Sequence, residues 1–308
     1  MSLSAILGAT LGVASLLGAG TATLAAQRPA IDSAQLLSDI RTLSADSMEG
    51  RRIGTPGGQR ARTFLLGAMT RAGLTALDSF PRAFTTKARA GAEVAGVNLV
   101  GLVRGTKQPD RYIVVSAHYD HLGVRNNEVF NGADDNASGT AGVLALARWY
   151  QAHPAEHSLL FVLFDGEESG ELGSKAFVEH PPVPFAAIAA DENLDMVSRN
   201  TKGELYAAGA AVNPWLKPQL DSTAAVSRVK LLLGHDTGSG QNNWIHQSDQ
   251  GAFADKNIPF VYFGVEDHPD YHKATDDFER IQPGFFYRAV ETVADFVMRL
   301  DRSLERHP

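Results

Sequence analysis

Apolar and polar positions after residue 30 alternate between short apolar runs and stretches of helical spacing. Apolar residues at helical spacing follow Asp32, and a second such stretch from 64 to 72 ends just before Gly73. Asp is a common N-cap and Gly is common just beyond a helix end, so both stretches are predicted helices. Ser138 is placed to cap another helix, and residues 283–300 have the pattern of an amphipathic helix.

The apolar runs between these helices are predicted strands. Residues 158–164 (SLLFVLF) are apolar without interruption, as expected of a strand covered on both faces. The runs 97–103 and 112–117 flank a Gly-Thr-Lys turn and are predicted to pair as antiparallel neighbours. Further predicted strands are 187–194, 204–208, 228–233 and 258–265. The alternation predicts a single α/β domain over residues 31–308, with three α/β/α layers around a mixed, mostly parallel central sheet.

The N-terminal segment is treated separately from the fold. Residues 4–26 are small and apolar, and no charged side chain precedes Arg28. This pattern predicts a signal peptide within residues 1–26 and export to the periplasm or the medium. No basic residue precedes the apolar stretch, so an uncleaved membrane anchor is the alternative, although its many Gly, Ala, Thr and Ser residues weaken it as a span. No stable membrane partner is expected.

Charge and cysteine content narrow the possible chemistry. The 308-residue chain has a net charge of −7 and no conspicuous basic run, which argues against a nucleic-acid partner. It has no cysteine, which excludes disulfides, thiolate metal sites and a cysteine nucleophile. Any metal site must therefore use His, Asp and Glu, the ligand types of hydrolytic zinc.

Ligand-type side chains follow several of the predicted strands at the point where each strand ends. They are His118 and Asp120 after 112–117, Glu167 and Glu168 after 158–164, Asp195 after 187–194, and His272 in the loop beyond 258–265. In open α/β sheets, ligands collect at the carboxyl ends of strands. One such His is more often structural, but four strand ends with ligand-type residues predict a shared metal site.

Three local motifs sharpen this prediction. In HYDH, the carboxylate of Asp120 can accept the ring N–H of His118, whereas His121 is expected to be a bystander. In NGADDNASG, turn and capping chemistry explains the Ser-Gly end but not the preceding pair of acids. In FDGEES, two adjacent carboxylates near a buried strand end repel each other unless a cation neutralises them. One of them can bind metal while the other faces substrate.

The blocks HYDHLG, GADDNASG, FDGEESGELGS, NLDM, SDQGAF and DYHKATDDFERI, in this order, resemble the secreted di-zinc aminopeptidase family. That family includes glutamate carboxypeptidase II, the transferrin receptor ectodomain and the zinc glutaminyl cyclases. The stretch 46–61 is similar to the family's N-terminal block, and the resemblance covers residues 32–282.

The resemblance implies a set of metal ligands for two zinc ions. His118 and Asp195 would bind one ion, Glu168 and His272 the other, and Asp135 would bridge both. Asp134 would then be a neighbour of the site, and Asp191 in DENLDM would not be a ligand, because the family's ligand is the Asp before Met. A cis peptide bond is implied between residues 135 and 136.

Further residues are implied to act around the metals. Glu167 matches the general base, and Asp120 and Asp249 would hold the rings of His118 and His272. Tyr271 is a candidate hydroxyl donor to the oxyanion, with a packing or surface role as the alternative. A carboxylate beside a metal-bound water can take its proton and later deliver it to the leaving amine.

The function implied by this resemblance is removal of N-terminal residues from peptides with a free N-terminus. A zinc glutaminyl cyclase, an acyltransferase with one zinc ion on the same scaffold, is the alternative. A carboxypeptidase or dipeptidase would need basic groups near the site, for which Arg51, Arg52 and Arg125 are present. A receptor without enzymatic activity is disfavoured because every ligand position and the base are retained.

Overall fold

The computed structural model describes Met1 and residues 29–87 and 91–306. Apart from Met1, the predicted signal peptide or anchor at 1–26 lies outside the described residues, so that interpretation stays a prediction. Among the helices of the described ranges, none combines the length and the apolar character needed to cross a membrane.

A mixed sheet of eight strands forms the middle layer. The strands of the described chain are β1 Pro81–Lys87, β2 Glu93–Val103, β3 Gln108–His118, β4 Gly123–Arg125, β5 Glu128–Phe130, β6 His157–Phe164, β7 Ile188–Asp195, β8 Glu204–Ala208, β9 Lys230–Leu233 and β10 Phe260–Gly264. The sheet order is β1-β2-β6-β3-β7-β10-β8-β9, and β4 and β5 form a separate hairpin. Parallel pairing joins β6, β3, β7 and β10 as well as β8 and β9, whereas β1–β2, β2–β6 and β8–β10 are antiparallel. The predicted mixed, mostly parallel sheet is confirmed.

The predicted pairing of the runs 97–103 and 112–117 is wrong, because β6 lies between them. Leu99 of β2 is opposite Leu163, and Ile113 of β3 is opposite Leu159. Every residue of β6 is buried. An uninterrupted apolar strand needs cover on both faces and neighbours on both edges, so it takes the position between the two runs.

Helices cover both faces of the sheet and complete the predicted three layers. They are α1 Ser33–Leu43, α2 Pro56–Arg71, α3 Gly139–Ala152, α4 Leu172–Glu179, α5 Lys217–Ala224, α6 Gln250–Asp255 and α7 Pro283–Ser303. Apolar side chains of α1, α2, α3, α5 and α7 share one core with the sheet. Side chains of α4 and α6 form a smaller core on the other face.

Helix ends follow the predicted chemistry at two places and depart from it at a third. Asp32 accepts a hydrogen bond from the backbone N of Gln35 at 3.0 Å, and Gly73 beyond α2 has φ +76°. Ser138 does not cap α3, because the turn before it is wider than an α-helical turn. The backbone N of Gly139 instead donates to Oδ1 of Asn136 at 2.8 Å.

The parallel strands bring their carboxyl ends to one edge of the sheet. His118 at the end of β3 is opposite Phe164 at the end of β6, and Asp195 at the end of β7 is opposite Gly264 at the end of β10. The loops after these strands therefore start side by side. This alignment explains why residues far apart in sequence can share one site.

A buried carboxyl group on β7 couples stability to pH. Glu192 is fully buried, and neither carboxyl oxygen has a hydrogen-bond partner among the described residues. Burial raises the pKa of Glu192 well above its usual range, and the neighbouring Asp191 raises it further. The folded chain thus retains a proton that the unfolded chain releases above about pH 4.3. The contribution of Glu192 to the free energy of unfolding therefore falls as pH rises from there toward the raised pKa.

We expect Glu192→Gln to remove this pH dependence, because the amide needs no proton to stay neutral. Thermal unfolding should give the variant a small advantage in Tm near pH 5, growing to several degrees near pH 8. The exposed Glu128→Gln is the matched control and should follow the wild type at both pH values. A Tm difference for Glu192→Gln that does not change with pH would contradict the prediction.

Candidate metal centre

Two groups of side chains meet above the carboxyl ends of the strands. In the first, Nε2 of His118 lies 3.4 Å from Oδ1 of Asp195 and 3.5 Å from Oδ1 of Asp135. All three side chains are buried. They come from the end of β3, the end of β7 and the turn before α3, which are distant in sequence.

The second group shares Asp135 with the first. Nε2 of His272 lies 3.1 Å from Oδ2 of Asp135 and 3.3 Å from Oε2 of Glu168. Asp135 therefore presents one carboxylate oxygen to each group. The structure brings together the five residues that the resemblance proposes as ligands.

These separations suit ligands of zinc. Two atoms bound to one tetrahedral zinc at about 2.1 Å are about 3.4 Å apart. The four N···O separations lie between 3.1 and 3.5 Å, and imidazole nitrogen with carboxylate oxygen is a zinc donor set. Burial raises the pKa of Asp135, and the neighbouring Glu168 raises it further, because carboxylates brought together in a poorly solvated place repel each other. A divalent cation would remove that repulsion, so the residues fit a metal centre.

The turn that carries Asp135 is held from two sides. The backbone N–H groups of Asp134 and Asp135 both donate to the carboxylate of Asp276, at 3.0 and 3.1 Å. Nδ2 of Asn136 donates to the carbonyl oxygen of Leu194 at 2.9 Å, which ties the turn to the end of β7. The peptide bond between Asp135 and Asn136 is cis, as the resemblance implies.

Asp134 explains why an acidic pair begins this turn. Its Oδ1 accepts from the backbone N and the hydroxyl of Ser198, both at 2.7 Å. Its Oδ2 lies 3.1 Å from Nε2 of His268, in the loop that leads to His272. Asp134 thus faces away from the centre and anchors the loop that carries another ligand-type residue.

The structure changes the expected role of Asp120. Its Oδ1 accepts the backbone N–H of Glu167 at 3.0 Å, whereas Nδ1 of His118 is 3.7 Å from that oxygen. The nearer partner of this ring nitrogen is the backbone oxygen of Asp120, at 3.2 Å. The His-x-Asp motif therefore orients the ring through its main chain, while the carboxylate holds the turn that carries Glu167.

Asp249 is buried just before α6, and no described contact joins it to His272. The charged groups that act on it include His118 and Asp195, and burial, the largest effect, raises its pKa to about 7. Phe253 of α6 packs in the core that contains Phe164. A contact of Asp249 with the ring of His272 therefore stays a prediction.

Glu167 and Tyr271 line a cavity of about 270 Å³ beside the five ligand-type residues. Burial raises the pKa of Glu167 well above its usual range, with Glu168 among the charges that raise it further. The ring of Tyr271 stacks on that of His272 at 3.9 Å between centroids. Burial, followed by the charge of Asp135, also raises the pKa of Tyr271, so its hydroxyl stays protonated and can donate.

The cavity wall as a whole contains both acidic and apolar side chains. The acidic residues are Asp135, Glu167, Glu168, Glu171, Asp195 and Asp267. The apolar part is formed by Met196, Trp244, Tyr262 and Val265. The cavity can therefore attract a cation and also contact an apolar group.

Arg51 holds the main chain of the segments next to the site through hydrogen bonds, a role that the sequence does not reveal. Its guanidinium is fully buried and donates to the carbonyl oxygens of Leu43, Tyr119, Asn131 and Gly132 at 2.8, 2.8, 2.5 and 2.9 Å, respectively. Burial lowers its pKa to about 10, against the raising effect of Asp135 and Asp120, so it remains charged. It is committed to the main chain and does not reach the cavity as a carboxypeptidase interpretation would need.

A comparison with models of protein families gives a match that covers this site. The model described as Peptidase family M28 matches residues 98–297, which contain all five ligand-type residues. A probable zinc metalloprotease of Pyrenophora tritici-repentis is 36% identical over 183 residues, covering 53% of this chain and 39% of that protein. Aminopeptidase YwaD of Bacillus subtilis is 28% identical over 202 residues, covering 63% and 37%. The chain thus spans less than two thirds of the length of these relatives.

Solved structures share the fold. The zinc aminopeptidase BSAP of Bacillus subtilis superposes with a TM-score of 0.73 at 16% identity, over 88% of this chain and 95% of that one. The glutaminyl cyclase of Porphyromonas gingivalis superposes with a TM-score of 0.71 at 18% identity, over 89% and 99%. Identities this low carry the fold and leave the choice of reaction to the site.

The Arg51 contacts predict a large loss of stability on substitution. Arg51→Gln leaves buried carbonyl oxygens without donors and removes the buried cation, so the free energy of unfolding should fall by roughly 3 kcal/mol or more. Urea unfolding in the presence of chelator measures it. Arg104→Gln, at a side chain that is 66% exposed, is the control and should change the value by less than about 0.5 kcal/mol. Equal stability of the two variants would contradict the role assigned to Arg51.

Proposed function

This chain belongs to peptidase family M28, and from that premise we propose that it is a zinc-dependent aminopeptidase, which removes residues from the N-termini of peptides. The observation that carries the proposal is the meeting of five ligand-type side chains at N···O separations of 3.1–3.5 Å beside Glu167. A bound cation would explain why buried carboxylates face one another at this edge of the sheet.

The proposed centre takes two zinc ions per chain. His118 and Asp195 hold one, Glu168 and His272 hold the other, and Asp135 is common to both. When bound, the metals supply Lewis-acid activation of a water molecule and of the scissile carbonyl. The shared carboxylate supports a count of two, because its oxygens face different histidines.

Glu167 is the proposed general base. It lines the cavity next to Glu168, and its backbone is fixed by Asp120. A carboxylate with a raised pKa takes a proton from the attacking water and then gives it to the leaving amine. Tyr271 keeps its hydroxyl proton and donates it as a hydrogen bond to the oxyanion that forms on the carbonyl.

The cavity wall supports a preference for the substrate's N-terminus. Its acidic residues suit the α-ammonium group of a free N-terminus, which a blocked peptide lacks. Its apolar residues Met196, Trp244 and Tyr262 suit an apolar first side chain. We therefore propose peptides that begin with a residue such as Leu or Phe as the substrate class.

A glutaminyl cyclase is the second candidate, because a cyclase superposes on 89% of this chain. Such an enzyme would use one zinc ion on this scaffold. The separations around His118, Asp135 and Asp195 favour a second ion and hence the peptidase. Metal content and substrate choice distinguish the two.

We expect the purified protein to bind two zinc equivalents and to hydrolyse leucine anilide, with at least tenfold lower kcat/KM for glutamate anilide. N-acetylated leucine anilide should not be hydrolysed, because the acetyl group removes the ammonium charge. Chelation should abolish activity and zinc should restore it. One zinc equivalent with cyclisation of N-terminal glutamine peptides would replace the aminopeptidase by the cyclase.

We expect Glu167→Gln to keep both zinc equivalents and to lose about 10²–10⁴-fold in kcat, because the amide cannot accept the proton of water. Atomic absorption and anilide hydrolysis measure the two effects on the same sample. The matched control is Glu179→Gln, at the exposed end of α4, which should retain wild-type kcat. Near-wild-type turnover in Glu167→Gln would remove Glu167 from the role of base.

A further inference from the structure

His121 lies beside the centre although the sequence suggests a bystander. Its side chain is fully buried just beyond β3. The imidazole packs against the backbone of Gly132, where an added Cβ would lie 2.5 Å from its Cγ and Cδ2. Gly132 has φ +55°, so a side chain is doubly disfavoured there. The close approach of the glycine backbone fixes the position of the ring.

The ring nitrogen of His121 faces Glu168. Nδ1 lies 2.7 Å from Oε1 of Glu168 and 3.7 Å from Oδ2 of Asp135. The first distance is within the range of an N–H···O hydrogen bond, although neither atom makes one in the present orientation, and it is shorter than the separation of about 3.4 Å between two ligands of one tetrahedral zinc. The other oxygen of Glu168, Oε2, faces His272 at 3.3 Å.

The two adjacent glutamates thus have separate anchors. The backbone N of Glu167 donates to Asp120, and the side chain of Glu168 lies against the ring of His121. Both anchors come from the four-residue HYDH block that also supplies His118. This block can therefore set the orientation of a glutamate turn that lies almost fifty residues away, as the 47-residue separation of Asp120 and Glu167 shows.

We propose that His121 is a positioning residue: in the metal-bound site its Nδ1–H would donate to the adjacent Oε1 of Glu168 and leave Oε2 directed at the metal position shared with His272. The proposal rests on the proposed function in requiring a metal at this position. Ligating carboxylates are themselves held by hydrogen bonds, and loss of such a partner weakens metal binding by about 10–100-fold. His121 as an additional metal ligand is the competing role, and the test separates the two.

The test compares three substitutions of His121. In His121→Asn, the amide nitrogen can stand near the position of Nδ1 and donate to Glu168, but it is a poor zinc ligand. In His121→Gln, the amide reaches toward the position of Nε2 and leaves Glu168 without this donor. His121→Leu removes the donor altogether. The exposed His180→Leu, at the end of α4, is the control for a histidine outside the cavity.

Zinc affinity is the readout, measured by competition with a chromophoric chelator, with thermal unfolding of the metal-free proteins as the folding control. We expect His121→Asn and His180→Leu to retain both zinc equivalents at near-wild-type affinity. In His121→Gln and His121→Leu, one of the two equivalents should bind about 10–100-fold more weakly. If His121→Leu does not fold, the comparison of Asn with Gln carries the result.

Two outcomes would overturn the proposal. Wild-type zinc affinity in both Gln and Leu variants would reduce His121 to a packing residue. Equal loss of zinc in the Asn, Gln and Leu variants would make His121 a ligand. Because the readout is zinc binding, it decides about His121 even if the anilides and peptides of the activity test are not hydrolysed.

Discussion

The structure depends on the cost of placing many carboxylates together at one edge of a sheet. Asp120, Asp134, Asp135, Asp195 and Asp276 are all buried there. A buried carboxylate is tolerated only with hydrogen-bond donors or a cation beside it, because desolvation otherwise penalises the charged form. The chain supplies backbone N–H groups to some of these acids and histidine rings to others. The acids that meet at the candidate metal centre have histidines as their described partners, and a bound cation would compensate their charges further.

Arg51 shows that the chain's own cation does not fill that need. Its guanidinium is fully buried near the acids, yet every hydrogen bond that the structure describes for it goes to a backbone carbonyl. Asp135 and Asp120 raise the pKa of Arg51, so its positive charge also acts on these two carboxylates. Arg51 therefore joins several loops through their main chain and leaves the carboxylate oxygens of the candidate metal centre facing the cavity.

The meeting of these acids at one edge of the sheet could be predicted from the sequence, because parallel strands align their carboxyl ends. Once 158–164 and 187–194 are recognised as buried strands, the acids that follow them must lie at one edge, whatever the exact strand order. The strand order itself was harder. The turn between 97–103 and 112–117 suggested direct pairing, but β6 is the more apolar strand and takes the central place between them. A local turn motif carries no information about a distant strand that can pair at the same position.

Side-chain direction was the second limit. The His-x-Asp spacing suggests that the carboxylate of Asp120 holds the ring of His118, but in the structure this carboxylate accepts the backbone N–H of Glu167, because its orientation depends on how the Glu167 turn packs. His121 looked dispensable since neither periodicity nor a motif distinguishes a ring directed at Glu168 from one directed at the core. In the structure, the close contact with the backbone of Gly132 fixes the position of the ring.

In each of the two pairs of adjacent acids, Asp134–Asp135 and Glu167–Glu168, the two side chains have different tasks. Consecutive residues in a turn point in different directions, so each pair can place one carboxylate in the centre and assign the other a different task. Asp134 fixes the loop of His268 while Asp135 faces the histidines of the centre. Glu167 and Glu168 both line the cavity, but they contact different residues of the same HYDH block. A shift of one turn would therefore move a proposed ligand and its neighbour together, which ties the geometry of the proposed base to that of the metal position.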